Sequence, residues 1–598
     1  MSAVQERTGR RVAQLVFAVL VLATLGAFFV AQRLKQSPAA VVTSLQTRAF
    51  SPNGDGRQER AAFTLRLRRA DDVSIAVLNR ETDERVRTLV TDRPIPAGRP
   101  VTFQWDGRTD EGRVAPDALY KILVSLRRQG RSSFVNKRVA LDATPPNPVV
   151  TTAVPGGRPR GLAITPSRGS LGVNVRLDAP GLGAPVFEVL RTDGARPRRV
   201  ARFAGGSGLR TARWDGLVDG RPAPAGTYRV TATTRDAAGN MGTTRPGKGG
   251  RFPGRPGVTV RYIAAQAPAE PVVAGALADV FVDARGGRYG WELRRLGHRR
   301  VIAAGLSRSP RLRLRAPRGP SGVYLVEVRT RDHSAAAALA VTRRTRGRVL
   351  VVLPALSWQG QNAADDDGDG RPDTLRRGGI ARLDRPFAGG GLPPGFAGQE
   401  GPLLSWLERR ELRYALTTDT ALAAGRGPKL EGHKGVLLAG NPRWLPADLH
   451  AGLRRYVEGG GKVLSVGTES LRRFVDIRGT TMRNPSRLGA DDLFGSRIGG
   501  LARRRLSLLS FPTDELKLFV GTGGLIRGFG EAEFTQGVGR EGKLIGGAGP
   551  REDRPVIASY RLGKGIVMRT GLPAWSVHLG TDPAVASVMR RMWLVLSR

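Results

Sequence analysis

The pattern of apolar and polar positions divides the chain into three stretches. Residues 12–31, VAQLVFAVLVLATLGAFFVA, are apolar, with Gln14 as the one strongly polar member. About 20 residues at 1.5 Å rise span a bilayer core, so this run predicts a transmembrane helix. Arg7, Arg10 and Arg11 precede it and Arg33 and Lys35 follow, which favours a cytoplasmic N-terminus and an exported remainder. No small-x-small site follows directly, so an uncleaved signal anchor is expected over a cleaved signal peptide. Beyond residue 37, apolar and polar positions alternate between turn residues, the signature of short antiparallel strands. Val73, Ile75 and Val77 would share one strand face. From Arg348 the alternation stops. RVLVVLPAL is continuously apolar, as in a strand buried on both faces, and LLSWLERREL has helical spacing. KGVLLAGNPRWLPADLHAGLRRYVEGGGKVLSVGTESL then reads as strand, loop, helix, glycine stop and strand. PVIASYRLGKGIVMRTGLP reads as a hairpin, and residues 584–596 as an amphipathic terminal helix.

The alternating region contains an internal repeat. Trp105-Asp106-Gly107 matches Trp214-Asp215-Gly216, and Arg113, Ala115, Pro116 and Tyr120 match Arg221, Ala223, Pro224 and Tyr228. The period is that of a β-sandwich domain rather than of a solenoid unit. Trp closing one strand, Asp-Gly turning, and Tyr opening the next are read as core anchors rather than ligand contacts. DATPPNP at residues 142–148 separates the copies, because consecutive prolines break ladders. The resulting division is 1–36 cytoplasmic tail and anchor, 37–147 first sandwich, 148–257 second sandwich with a linker, 258–346 a divergent third, and 347–598 an α/β domain.

Charge narrows the partners. Lys and Arg total 96 against 51 Asp and Glu, a net +45 in 598 residues. Such a field favours anionic polymers or lipid head groups, although an Arg-rich composition also describes an ordinary solvated surface. No basic cluster interleaved with aromatics marks specific nucleic-acid binding. Cysteine is absent, which excludes disulfides, thiolate metal sites and a Cys nucleophile.

The sharpest chemical motif is ADDDGDGRPD. Asp365, Asp367, Asp369, the Arg371 carbonyl and Asp373 take positions 1, 3, 5, 7 and 9 of an EF-hand-type loop, with Gly370 at the bend. Structural calcium is expected there, against the alternative of a solvated acidic loop; Arg376 stands where a bidentate Glu is usual. Open α/β sheets bind ligands beyond the carboxyl ends of their strands, which here points to Trp358, Gln359, Asn362, Asn441, Trp444 and Thr468. Glu469 is the candidate base and His578 its candidate assistant, with a plain helix-start role as the alternative for Glu469. His450 reads as a surface residue on its helix.

FSPNGDG at residues 50–56, WDG and the AP-x-x-x-Y strand resemble the Ig-like domain of flagellar hook-capping proteins over about residues 45–245. That resemblance implies non-catalytic spacer or adhesive modules. Ser357-Trp358-Gln359, the segment through Tyr456 and Gly459-Gly460-Gly461, and LGKGIVMRTGLP resemble the C-terminal domain of the N,N-dimethylformamidase large subunit, within the class I glutamine amidotransferase-like group. It implies a flavodoxin-like α/β domain. Where that family shows G-H-x-E-Y-W, this chain has Gly440-Asn441-Pro442-Arg443-Trp444, so Asn441 and Arg443 replace its His and Glu. The expected whole is a multidomain protein with an N-terminal transmembrane helix, two or three Ig-like β-sandwiches and a C-terminal α/β amidotransferase-like domain. Its expected role is that of a single-pass cell-membrane protein with the bulk of the chain extracytoplasmic, presenting a non-catalytic domain that binds cell-envelope polymer or glycan. The alternative is an exported amide- or glycan-directed hydrolase.

Overall fold

The computed structural model describes residues 15–28, 41–45, 49–135, 137–153, 163–164, 173–178, 184–206, 211–343, 348–389 and 391–598. They fall into two compact units. One lies within Met1–Pro148, with Pro180–Pro185 and Thr233–Thr243, and the other within Val149–Ala179, Val186–Ala232 and Thr244–Arg598.

In the first unit, Val41–Leu45, Ala61–Leu67 and Pro100–Trp105 form one antiparallel sheet. A second sheet is built on Asp71–Asn79, Arg85–Ile95 and Ala118–Leu126. Alternation puts Val73, Ile75 and Val77 in a core with Phe50, Phe63, Trp105 and Tyr120. Trp105 donates from Nε1 to the Arg108 carbonyl at 3.0 Å, and Tyr120 donates its hydroxyl to Pro116 at 2.6 Å. The second unit repeats the device: Trp214 Nε1 donates to Leu217 at 3.1 Å and Tyr228 to Pro224 at 2.6 Å. Each large ring is buried while its polar atom bonds to backbone nearby, so none of the four rings leaves a desolvated donor in the core. Residues 264–342 add two further sheets around Val280, Leu293, Val326 and Leu339.

The C-terminal part of the second unit is organised on one nine-stranded sheet. Its order is Ala415–Thr418, Val349–Leu353, Gly435–Leu438, Lys462–Ser465, Gly565–Thr570, Ile557–Leu562, Gly542–Gly549, Arg497–Asp514 and Leu525–Gly537. The first five run parallel and the rest antiparallel. Ala447–Glu458 packs Leu449, Leu453 and Val457 into one apolar cluster, and Pro583–Ser597 buries Val585, Val588, Met589, Met592 and Leu596 in another.

This corrects the expected architecture. The chain is strand-dominated, 44% strand against 14% helix, and among the described residues no doubly wound, flavodoxin-like domain is evident. Four of the nine strands of the large sheet, from residues 497–562, are antiparallel, and Gly542–Gly549 pairs with Arg497–Asp514 rather than with Leu525–Gly537; this Gly- and Arg-rich stretch has a turn composition that hid two long strands. The expected membrane helix falls only in part within the described residues. Residues 15–28 are helical and exposed, about 21 Å at 1.5 Å per residue, and the rest of the apolar run lies outside the described residues. Among the described residues no helix is long and apolar enough to cross a membrane.

Candidate functional site

At the carboxyl end of the parallel strands, two tight turns interlock. Residues 440–443 follow Gly435–Leu438, and residues 467–471 follow Lys462–Ser465. A Cβ on Gly467 would lie 2.0 Å from the Gly440 carbonyl, so only glycine permits this crossing. Ser357 Oγ, from the helix Ala355–Gln361, accepts from the backbone N–H of Arg443 at 2.7 Å and of Trp444 at 3.3 Å. Asn441 Oδ1 accepts from Thr468 N–H at 2.8 Å. Glu469 and Leu471 both take left-handed conformations, φ 50° and 62°, and no helix starts there. Strained non-glycine residues of this kind are held only where the surroundings over-determine them.

What holds Glu469 is a second carboxylate. Its N–H donates to Glu533 at 3.1 Å, and Glu533 is wholly buried between Arg472 at 3.2 Å and Arg569 at 2.7 Å. Arg569 also donates to Thr535 Oγ1, and Arg472 to the carbonyls of Gly489 and Ile498. Every part of this buried network is therefore partnered, the condition under which buried ions are tolerated.

Above it opens a cavity of about 480 Å³ lined by Arg376, Arg443, Thr468, Glu469, Leu501 and Arg503. Glu469 Oε2 is 2.6 Å from Arg443 Nη1 and 3.3 Å from Arg376 Nη2. Burial, together with the like charges of Arg376 and Arg473, holds Arg443 below the usual arginine range against the pull of Glu469. Burial and Arg376 and Arg472 act on Arg473 in the same direction. The site is thus short of negative charge.

Of the residues expected here, Thr468 and Glu469 line the cavity, and Asn441 supports it from beneath. His578 does not: its ring lies 4.5 Å from Phe529 and it is not part of the lining. Trp444 is fully buried, 5.5 Å from the Arg473 guanidinium. Trp358 and Gln359 border a separate cavity of about 40 Å³. Gln359 Nε2 bonds to the Arg385 carbonyl, and Asn362 bonds to Pro386 and Ala388, so both amides hold the backbone around residue 386 in place. His450 is not on the surface; it is buried against Phe474, and burial pushes it down to about 4. Arg376, Arg472, Arg503, Arg569 and Glu533 were missed, and each looked like one more solvated charge. Arg443, at the position of a departure from a family motif, was the one available signal. A larger cavity of about 1390 Å³ holds none of the expected site residues, and its Glu270 and Asp384 are already paired with Arg426 and Arg382.

The acidic loop brings together three of its carboxylates. Asp365, Asp367 and Asp373 bring carboxylate oxygens within 4.8 Å of one another. Asp365 accepts from Gly368 N–H at 2.8 Å and Gly370 N–H at 2.9 Å, which aims its carboxylate inward. Burial pushes Asp365 up to about 8 and Asp373 up to about 6. Asp369 instead turns to Arg371 N–H at 2.7 Å and Phe252 N–H at 3.4 Å, and the Arg371 guanidinium reaches the Gly250 carbonyl. Three hard oxygen donors with too little compensating charge fit a divalent cation.

No curated protein matches the chain. Among solved structures it is similar to Gan42B, a GH42 beta-galactosidase, at 12% identity over 38% of this chain and 28% of that one, with a TM-score of 0.22. It is similar to the exo-beta-1,4-mannosidase Op5Man5 from Opitutaceae bacterium strain TAV5 at 12% identity, over 42% of this chain and 36% of that one, with a TM-score of 0.24. The chain thus spans about a third of the length of these structures. Residues 309–488, which include Ser357, the acidic loop, the turn at residues 440–443 and Glu469, match the family described as N,N-dimethylformamidase beta subunit-like, C-terminal.

Proposed function

We propose that the strand-end cleft is a binding site for the acidic groups of an anionic cell-envelope polymer or glycan, and that it does not hydrolyse amides. The observation that carries this reading is the state of Glu469. A general base points a free oxygen at its proton, whereas Glu469 turns Oε2 to Arg443 at 2.6 Å and to Arg376 at 3.3 Å. With His578 outside the lining, the cavity presents three guanidiniums and one already-paired acid. Such a site attracts an anion. The net +45 adds long-range attraction that suits an extracytoplasmic protein working against a polyanion. Asp365, Asp367 and Asp373 would hold calcium as a structural ion, bracing the loop that leads to Arg376. Arg443→Ala should weaken retention on polygalacturonate or poly(glycerol phosphate) about tenfold, and wild-type retention should fall as salt rises. Equal retention of the variant, or retention indifferent to salt, would refute the reading.

A further inference from the structure

The inference rests on the anion-binding reading above and names the acidic group. Guanidiniums reach the cleft from three separate segments: Arg376 from the turn Leu375–Arg377, Arg443 from the turn after Leu438, and Arg503 from the strand Arg497–Asp514. One oxygen of Glu469, Oε2, serves two of them at once. It occupies the place of one oxygen of a bound anion. The remaining demand is unmet, because Arg443 Nε is buried without an acceptor and Arg443 Nη1, though 2.6 Å from Glu469 Oε2, is not aligned for a hydrogen bond. A planar carboxylate offers two oxygens in one plane, and two guanidiniums with one N–H already fill that of Glu533. Donors converging from three segments suit a tetrahedral anion, whose oxygens point in different directions.

The parts differ in freedom as such an exchange requires. The Glu469 backbone is clamped by Glu533, which two buried arginines hold in turn. Its side chain is only partly covered, and the Arg376 side chain is 56% exposed. Arg503 is more exposed still and is shared with Glu531 at 3.0 Å, so both outer arginines can turn toward an incoming group. We infer that the cleft binds the phosphate of a phosphodiester-linked polymer and that Glu469 is its built-in stand-in, leaving Arg376 when the ligand enters. No bond is made or broken; one anion replaces another on a fixed cationic frame.

The experiment measures binding of the full chain to poly(glycerol phosphate), to glycerol phosphate and to polygalacturonate by titration calorimetry over a range of salt. Wild type should prefer the phosphate polymer to the carboxylate polymer. Glu469→Gln should bind both phosphate probes about tenfold more tightly, because the internal competitor has lost its charge. Arg376→Ala, at an exposed position that the fold does not need, should lose about tenfold in phosphate affinity. A Glu469→Gln variant that binds phosphate no better than wild type, an unchanged Arg376→Ala, or a preference for polygalacturonate would each overturn the inference while leaving anion binding standing. Failure of wild type to bind either polymer would remove the anion-binding reading itself, and this inference with it.

Discussion

Replacing Glu533 by Gln tests the foundation of the site. The carboxylate is 0% exposed and accepts from Arg472 at 3.2 Å, from Arg569 at 2.7 Å and from Glu469 N–H at 3.1 Å. Gln preserves the shape and one carbonyl oxygen, so one charge-assisted hydrogen bond survives and the other is replaced by an NH₂ facing a guanidinium. Losing such a bond costs about 1.5–3 kcal/mol. The two buried guanidiniums then lose their closest countercharge and retain the neighbouring Asp492, and breaking such a pair is expected to cost about 3–5 kcal/mol. At roughly 2 °C per kcal/mol for a large domain, the melting midpoint of the second unit should fall by about 6–10 °C. Thermal melts followed by tryptophan fluorescence, with urea titrations beside them, measure this directly. The double variant Glu533→Gln/Arg569→Met removes one of the stranded charges and should recover at least about 1 kcal/mol of the loss. A single-variant shift no larger than that of Arg311→Ala, an exposed arginine outside the network, would refute the electrostatic account of how Glu469 is held.

Two further outcomes concern pH. Asp365 and Asp373 are raised to about 8 and about 6, so the folded loop holds protons that the unfolded chain releases near 4; without a cation, stability is lost as pH rises from about 4 to 8. In chelator the second unit should therefore melt lower at about pH 8.5 than at about pH 5.5, and millimolar calcium should remove most of that difference; identical melts with calcium and chelator at the higher pH would refute a calcium site. Glu400 is 1% exposed, and burial pushes it up to about 7, so it costs stability in the same direction. Glu400→Gln should be more stable than wild type above about pH 7 and no more stable below about pH 4.5, as read by scanning fluorimetry, and a variant less stable than wild type at about pH 8 would contradict this.

What the sequence determined by itself is what neighbours along the chain encode. Val73, Ile75 and Val77 share a buried face because a strand has a period of two. Trp105 with Tyr120, and Trp214 with Tyr228, repeat one turn and its hydrogen bonds because each bond closes within four residues. Asp365, Asp367 and Asp373 converge within nine residues of loop bent at Gly368 and Gly370, whose N–H groups hold the Asp365 carboxylate, although Asp369 of the same motif turns away. Tertiary structure alone decided the rest. The strands Arg497–Asp514 and Leu525–Gly537 take their hydrogen bonds from distant partners, so their glycines and arginines read as loop until the sheet is assembled. Trp358, Asn362 and Trp444, whose polar or aromatic character suggested ligand contact, are consumed by packing. The cleft itself joins Arg376, Arg443, Glu469 and Arg503, over a Glu533 found nowhere near them in the chain. In so arginine-rich a sequence each of these charges is indistinguishable from a solvated one, and only burial and convergence, which are properties of the folded sheet, turn them into a site.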